Sequence, residues 1–245
     1  MAYKYVVNHI PKTLNGVKNR KRPANAMNWE YITVHNTGNP KSNAYGERGW
    51  LTNKYNLSSS TSYHLVVDEN TAIECIPLWE NAWHAGDGVE GTGNRKSVGI
   101  EVCESGDLQK TIANVQYLIA YMINEKSKRD GKYYTAKQLV RKHQDWSNKY
   151  CPRLLIPMWD KFVDGIQTVL NSITETKEKV EIKEEKVEEK EELNSEENWK
   201  FDGINKLHEM GLLNSPDAWK NKIDEPMQVW AVTTILARIA EKSIK

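Results

Sequence analysis

From Tyr31 to Val34 the chain reads YITV, an unbroken apolar, β-branched run that predicts a short buried strand leading into His35. Two further runs, Tyr63 to Val67 and Ala72 to Ile76, flank Asp68-Glu69-Asn70 and read as a hairpin. In SVGIEVC, Ser97 to Cys103, the period of two places Ile100 and Val102 on one face and Glu101 and Cys103 on the other. The period then changes. Ile112, Val115, Leu118, Ile119, Met122 and Ile123 recur at helical spacing, as do Trp159, Phe162, Val163, Ile166, Val169 and Leu170. Strands mixed with amphipathic helices predict an α/β domain, a mixed central β-sheet flanked by helices.

This patterning stops at residue 174. Residues 174–197, TETKEKVEIKEEKVEEKEELNSEE, are mostly Lys and Glu and have almost nothing to bury, so they read as a charged linker. Beyond it, residues 198–245 suggest a small all-α module of three helices. The first is capped by Ser195 and runs through Phe201, Ile204 and Leu207 to Gly211; the second starts at Ser215-Pro216 around Trp219. The third opens at Asp224 and Pro226 and carries Val229, Trp230, Thr233, Leu236 and Ala240. So short a module is near the lower limit for independent stability, which points to self-association or docking on a partner. The expected domains are therefore 1–173, a linker at 174–197, and 198–245.

Charge sharpens this division. The whole chain has a net charge of +1, but the acidic excess of the linker offsets a mildly basic residue range 1–173. That excess is too small for a nucleic-acid footprint, although it suits an anionic polymer. Three widely spaced cysteines, Cys75, Cys103 and Cys151, do not form a disulfide framework and suggest synthesis in a reducing compartment. The N-terminal MAYKYVVNHIPKTLNG lacks the apolar run of a signal peptide, and no run approaches a membrane span. The expectation is a soluble protein made in the cytosol, with no membrane insertion.

The candidate chemistry lies in HQDWSNKYCP, which gathers His143, Asp145, Lys149 and Cys151 within nine residues. A hydrolytic zinc site takes three ligands of His, Cys or carboxylate type and leaves a fourth position open. His143 and Cys151 supply two, and His35, at the end of a strand, is the best-placed third. Spacing alone leaves open the alternative of satisfied histidines and an inert buried cysteine. Cys75 and Cys103 read as core.

The motifs VHNT (34 to 37), SYHLVVD (62 to 68), NAWHAGDG (81 to 88), SVGIEVC (97 to 103) and HQDWSNKYCP (143 to 152) follow one another at family-like intervals. Together they resemble the type 2 N-acetylmuramoyl-L-alanine amidases. These are zinc peptidoglycan amidases that include phage endolysins and share a fold with peptidoglycan-recognition proteins. The resemblance implies one Zn²⁺ per chain held by His35, His143 and Cys151, with Glu101 as proton carrier and Lys149 facing the scissile carbonyl. Tyr63 matches a tyrosine that some members use at the catalytic centre. His84, Trp83 and His64 are expected beside the substrate, while Asp145 and Thr37 are candidates for orienting the ligands. The implied bond is the amide between N-acetylmuramic acid and L-alanine.

The absence of a signal-like segment fits a phage or prophage endolysin that reaches the wall after release, and the Lys-rich composition hints at a Gram-positive host. The partner implied is bacterial peptidoglycan, with homo-oligomerisation through the C-terminal module as a further expectation. The alternatives are a non-catalytic peptidoglycan-binding module and a bacterial autolysin or sporulation amidase.

Overall fold

A computed structural model of the chain describes residues 3–56, 58–175 and 202–215, with single positions at 217, 219, 235, 236 and 238. Eight strands are formed among the described residues: β1 (Lys4–Val7), β2 (Thr13–Leu14), β3 (Val17–Lys18), β4 (Tyr31–Asn36), β5 (Leu65–Val67), β6 (Thr71–Glu74), β7 (Ser97–Val102) and β8 (Val140–Lys142). The helices of the first 175 residues are α1 (Ala44–Trp50), α2 (Thr92–Lys96), α3 (Leu108–Asp130), α4 (Ala136–Leu139) and α5 (residues 159–175). The chain divides into two units, residues 1–176 and 177–245.

Six strands make one mixed sheet in the order β1-β6-β5-β7-β4-β8. β5, β7, β4 and β8 run parallel, while β6 is antiparallel to β5 and carries β1 at its edge. Alternation along the strands sends Ile32, Val34, Leu65, Val67, Val98, Ile100 and Val102 to one face. There they meet Ile112, Val115, Ile119 and Ile123 of α3, and Phe162, Ile166 and Leu170 of α5. Asp107 caps α3, its carboxylate accepting from the backbone N–H groups of Gln109 and Lys110 at 3.0 and 3.1 Å. Gly131 ends the helix at φ +60°, where a side chain would strain the backbone.

The opposite face is divided. Over β5 and β6 it is apolar: Val66, Ile73 and Cys75, with Tyr63 and Cys103, pack under Ala44 and Leu51. Over β7 and β4 the positions on this face are Ser97, Gly99 and Glu101 beside Tyr31, Thr33 and His35. A Thr33 to Ser97 hydroxyl contact of 2.6 Å and a Trp146 indole N–H donated to Thr33 at 2.8 Å tie this polar half together. The sheet therefore carries a polar region flanked by apolar packing, and this is where the site forms.

Several expectations need adjusting. β4 continues to Asn36, so His35 lies inside the strand and pairs with β7. The turn falls at Asp68, which accepts from the N–H groups of Asn70 and Thr71 (2.8 and 2.7 Å), but the hairpin is shorter than the apolar runs suggest at its open end, where the N–H groups of Cys75 and Ile76 both meet the His64 carbonyl (2.7 and 3.4 Å). The β2–β3 hairpin turns on Asn15-Gly16, both at positive φ, an Asn-Gly signal the hydrophobic pattern passes over. In the second unit, residues 202–209 are helical and Gly211 follows at φ +64°. The Leu212 N–H reaches the Leu207 carbonyl at 2.9 Å, as the expected C-terminal cap requires. The linker, apart from 174 and 175, and most of the other two expected helices lie outside the described residues. Among the described residues, no helix is long and apolar enough to cross a membrane.

Ile119 sits fully buried between sheet and α5, whereas Tyr121 on the same helix is 45% exposed. Ile119→Ala should lower the unfolding free energy by about 2–5 kcal/mol, and Tyr121→Ala should change it by no more than about 0.5 kcal/mol. Urea unfolding of both variants checks this.

Candidate metal centre

Parallel pairing brings the functional side chains together. His35 of β4 lies directly beside Glu101 of β7, and both strands end at this level. On the other side of β4, β8 pairs Lys142 with Val34, so His143 leaves the sheet next to His35. The chain then turns through a short 3-10 segment, His143–Asp145, and returns to Cys151. Backbone bonds hold this loop: the Gln144 N–H donates to the Cys151 carbonyl at 3.0 Å and the Cys151 N–H to the Lys149 carbonyl at 2.8 Å. The Leu154 N–H anchors it to the Asn36 side chain at 3.0 Å. The site thus sits outside the carboxyl ends of parallel strands, where open α/β sheets place their ligands.

His35, His143 and Cys151 are all buried, and one ligating atom from each lies within 4.8 Å of the others. His35 Nδ1 faces His143 Nδ1 at 2.9 Å and Cys151 Sγ at 3.8 Å. Burial, followed by the neighbouring His84 and His143, holds His35 well below the usual histidine range. Burial and then Lys149 lower His143 to about 4, so both rings are neutral and able to ligate near pH 7. Burial pushes the Cys151 thiol up to about 11, so a thiolate here calls for an adjacent cation. Two imidazoles and a thiol aimed at one point are a donor set for a soft or borderline transition metal.

Glu101 and Lys149 border the same cleft, of about 860 Å³, along with Trp83 and His84. Glu101 Oε2 is sealed from solvent and has no hydrogen-bond partner. Burial, reinforced by Glu47, raises its carboxyl from 4.5 to about 8 against the opposing pull of Lys149. The exposed side chains of Lys18, Arg20 and Lys149 give the cleft a basic lip.

Two expected site residues are placed elsewhere. His64 has no exposed surface: its Nδ1 accepts from the Gly99 N–H at 2.9 Å and its Nε2 lies 2.8 Å from the Glu80 carbonyl, leaving neither nitrogen for substrate. Tyr63 is also buried, its hydroxyl donating to the Glu47 carbonyl at 2.8 Å within the apolar cluster under α1. Asp145 accepts from the Lys142 N–H at 2.9 Å and so closes its own turn, and the buried Thr37 hydroxyl bonds to none of the ligand residues.

Patterning does not anticipate the support around His84. This ring is buried, with Nδ1 3.0 Å from His35 Nε2 and Nε2 3.1 Å from the Ser97 carbonyl. Asn94 Oδ1 accepts from the N–H groups of His84 and Ala85 at 2.8 and 2.9 Å. Asp87 in turn accepts from Gly93 and Asn94. The signal was present in the glycine-rich stretch after NAWHAGDG, whose short polar residues bond mainly to backbone.

The sequence profile of the N-acetylmuramoyl-L-alanine amidases matches residues 25–154, a span that contains all three ligand candidates, Glu101 and Lys149. The chain belongs to this family. N-acetylmuramoyl-L-alanine amidase CwlH of Bacillus subtilis (strain 168) is 41% identical over 163 residues, covering 65% of this chain and 61% of CwlH. The chain thus spans about 60% of the length of the curated relatives it matches first. Of the solved structures, the catalytic domain of XlyA is 40% identical with a TM-score of 0.58, over 66% of this chain and 99% of that one. A mutant endolysin from Bacillus subtilis is 39% identical with a TM-score of 0.58, over 67% and 99%. The amidase fold accordingly accounts for the first unit, and the family match stops short of the second.

In the metal-free amidase domain the raised Glu101 carboxyl has a defined effect on stability. The folded chain keeps this proton while the unfolded chain releases it from about pH 4.5 upward, so its contribution is full below 4.5 and lost as pH rises through about 8. Relative to Glu101→Gln, wild type should therefore lose stability between these values. Urea unfolding of both metal-free proteins at about pH 5 and about pH 8 measures the difference.

Proposed function

We propose that this chain is a zinc-dependent N-acetylmuramoyl-L-alanine amidase. Its reaction is hydrolysis of the amide between N-acetylmuramic acid and L-alanine in bacterial peptidoglycan. The observation that carries the reading is the convergence of His35, His143 and Cys151 beside Glu101 at the end of parallel strands, within the span matched by the family. The two imidazoles and one thiol suit Zn²⁺, which leaves a fourth position for an oxygen ligand when three protein groups hold it. When bound there, zinc supplies Lewis acidity toward oxygen.

The remaining chemistry belongs to the chain. An amide nitrogen leaves readily only as a neutral amine, so a proton must reach it as the bond breaks. Glu101 Oε2, sealed and unpartnered, accepts the proton of the attacking water and returns it to that nitrogen. Burial suits it to this exchange near neutral pH, because its affinity for the proton is raised. Lys149 brings an ammonium to the cleft that stabilises the oxyanion developing on the carbonyl. Trp83 borders the groove that receives the substrate, and the basic lip of Lys18, Arg20 and Lys149 suits carboxylates of the stem peptide. The persistence of Cys151 in the cluster favours catalysis over simple peptidoglycan binding.

As a whole protein we assign it the role of a phage or prophage endolysin acting on a Gram-positive wall. Residues 1–173 are the catalytic domain, 174–197 the linker, and 198–245 a module for wall attachment or self-association. The likeness to a Bacillus subtilis endolysin supports this role.

Digestion of purified Gram-positive walls tests the activity. Mass spectrometry should show new L-alanine N-termini without new reducing ends; cleavage within the stem peptide or the glycan would refute the bond assignment. Glu101→Gln should retain zinc by elemental analysis while turnover falls about 100- to 10,000-fold. Cys151→Ala should lose both metal and turnover.

A further inference from the structure

We propose that His84 is a positioning residue that selects which nitrogen of His35 faces the metal; this rests on the zinc reading above. A neutral imidazole carries one proton on one of its two nitrogens. His35 Nδ1 points toward His143 Nδ1 and Cys151 Sγ, so ligation requires a lone pair there and the proton on Nε2. That Nε2–H needs an acceptor, and the atom 3.0 Å away is His84 Nδ1.

His84 Nδ1 accepts only when the His84 proton resides on Nε2. The Ser97 carbonyl enforces this: it lies 3.1 Å from Nε2 and can only accept. A fixed backbone carbonyl thus determines the tautomer of His84, which determines that of His35, which leaves a lone pair toward the ligand cluster. Metal-bound histidines commonly donate their other N–H to a carboxylate or a carbonyl. Here an uncharged ring is interposed, so the tautomer is set without adding a charged group to a pocket that Glu101 and Cys151 already line.

The ring has little freedom to do otherwise. A β-carbon at Gly99 would lie 2.6 Å from His84 Cγ, so the imidazole rests directly on the glycine backbone of β7. The backbone N–H of His84 donates to Asn94 Oδ1 at 2.8 Å, which fixes the residue behind the ring. Gly99 also pairs with Thr33, two residues along the strands from the His35–Glu101 pair and on the same face. The platform under His84 and the strand bearing His35 are therefore paired neighbours in one sheet.

The test compares full-length wild type, His84→Gln and His84→Phe by zinc titration against a chromophoric chelator. Phe fills the space but accepts nothing, and zinc binding should weaken about 10- to 100-fold. Gln offers an amide oxygen to His35 and an amide N–H to Ser97, and it should restore most of the affinity. Thermal unfolding of each variant separates this from a folding defect. Long-range ¹H–¹⁵N spectra of the metal-free wild type should place the His35 proton on Nε2, a readout that does not depend on either variant folding. Undiminished zinc affinity in His84→Phe, failure of a folded His84→Gln to exceed His84→Phe, or a His35 proton on Nδ1 would overturn the proposal. Failure of the wild type to bind zinc would instead overturn the metalloamidase reading, and the ¹⁵N spectrum would still decide the tautomer.

Discussion

The parallel pairing of β4 with β7 sets His35 and Glu101 side by side, and most of the centre follows from that register. A shift of one residue in either strand would turn Val34 or Val102 into the cleft and drive a histidine or a glutamate into the apolar layer under α3. The register is held because Ile32, Val34, Val98, Ile100 and Val102 all need that layer. The hydrophobic packing on one face thus enforces the alignment of polar groups on the other. It also gives the polar groups their unusual proton affinities, since the same burial that packs the strands removes water from Glu101 and the histidines.

The loop from His143 to Leu154 must meet that fixed pair from outside the sheet. It is held through its backbone N–H groups: Gln144 donates to the Cys151 carbonyl, Cys151 to the Lys149 carbonyl, Lys142 to the Asp145 carboxylate, and Leu154 to the side chain of Asn36. These four bonds fix the loop without drawing on the side chains of His143 and Cys151. Around it the Trp146 indole closes over Thr33 and lies edge-on to Tyr31 at 5.5 Å, sealing the β4 side of the centre. Trp146 therefore belongs to the wall of the site, whereas Trp83 lines the cleft itself.

Strands buried on both faces and a long amphipathic helix leave strong periodic marks, so YITV, SVGIEVC and the helix from Leu108 were legible in the sequence. So were His35, His143, Cys151, Glu101 and Lys149, because their residue types sit in distinctive motifs. Edge strand β1, the two-residue strands β2 and β3, and three-residue β8 bury too little to leave such a mark. His64 and His84 show the harder limit. Each is a histidine beside a motif residue, and nothing in its neighbours along the chain tells whether its nitrogens meet substrate or protein. The answer depends on Gly99 and on the carbonyls of Glu80 and Ser97, contacts made only after the strands assemble.

The three thiols are unevenly sheltered. Cys75 and Cys103 have no exposed surface, and Cys151 alone borders the cleft. An oxidant entering the cleft therefore meets a single thiol. Conversion of that sulfur to a sulfenic acid would remove one corner of the ligand triangle, while a cation already seated there would hold its electron pairs out of reach. Thiol oxidation at the cleft is thus a gauge of site occupancy, concentrated at one atom of the ligand triangle.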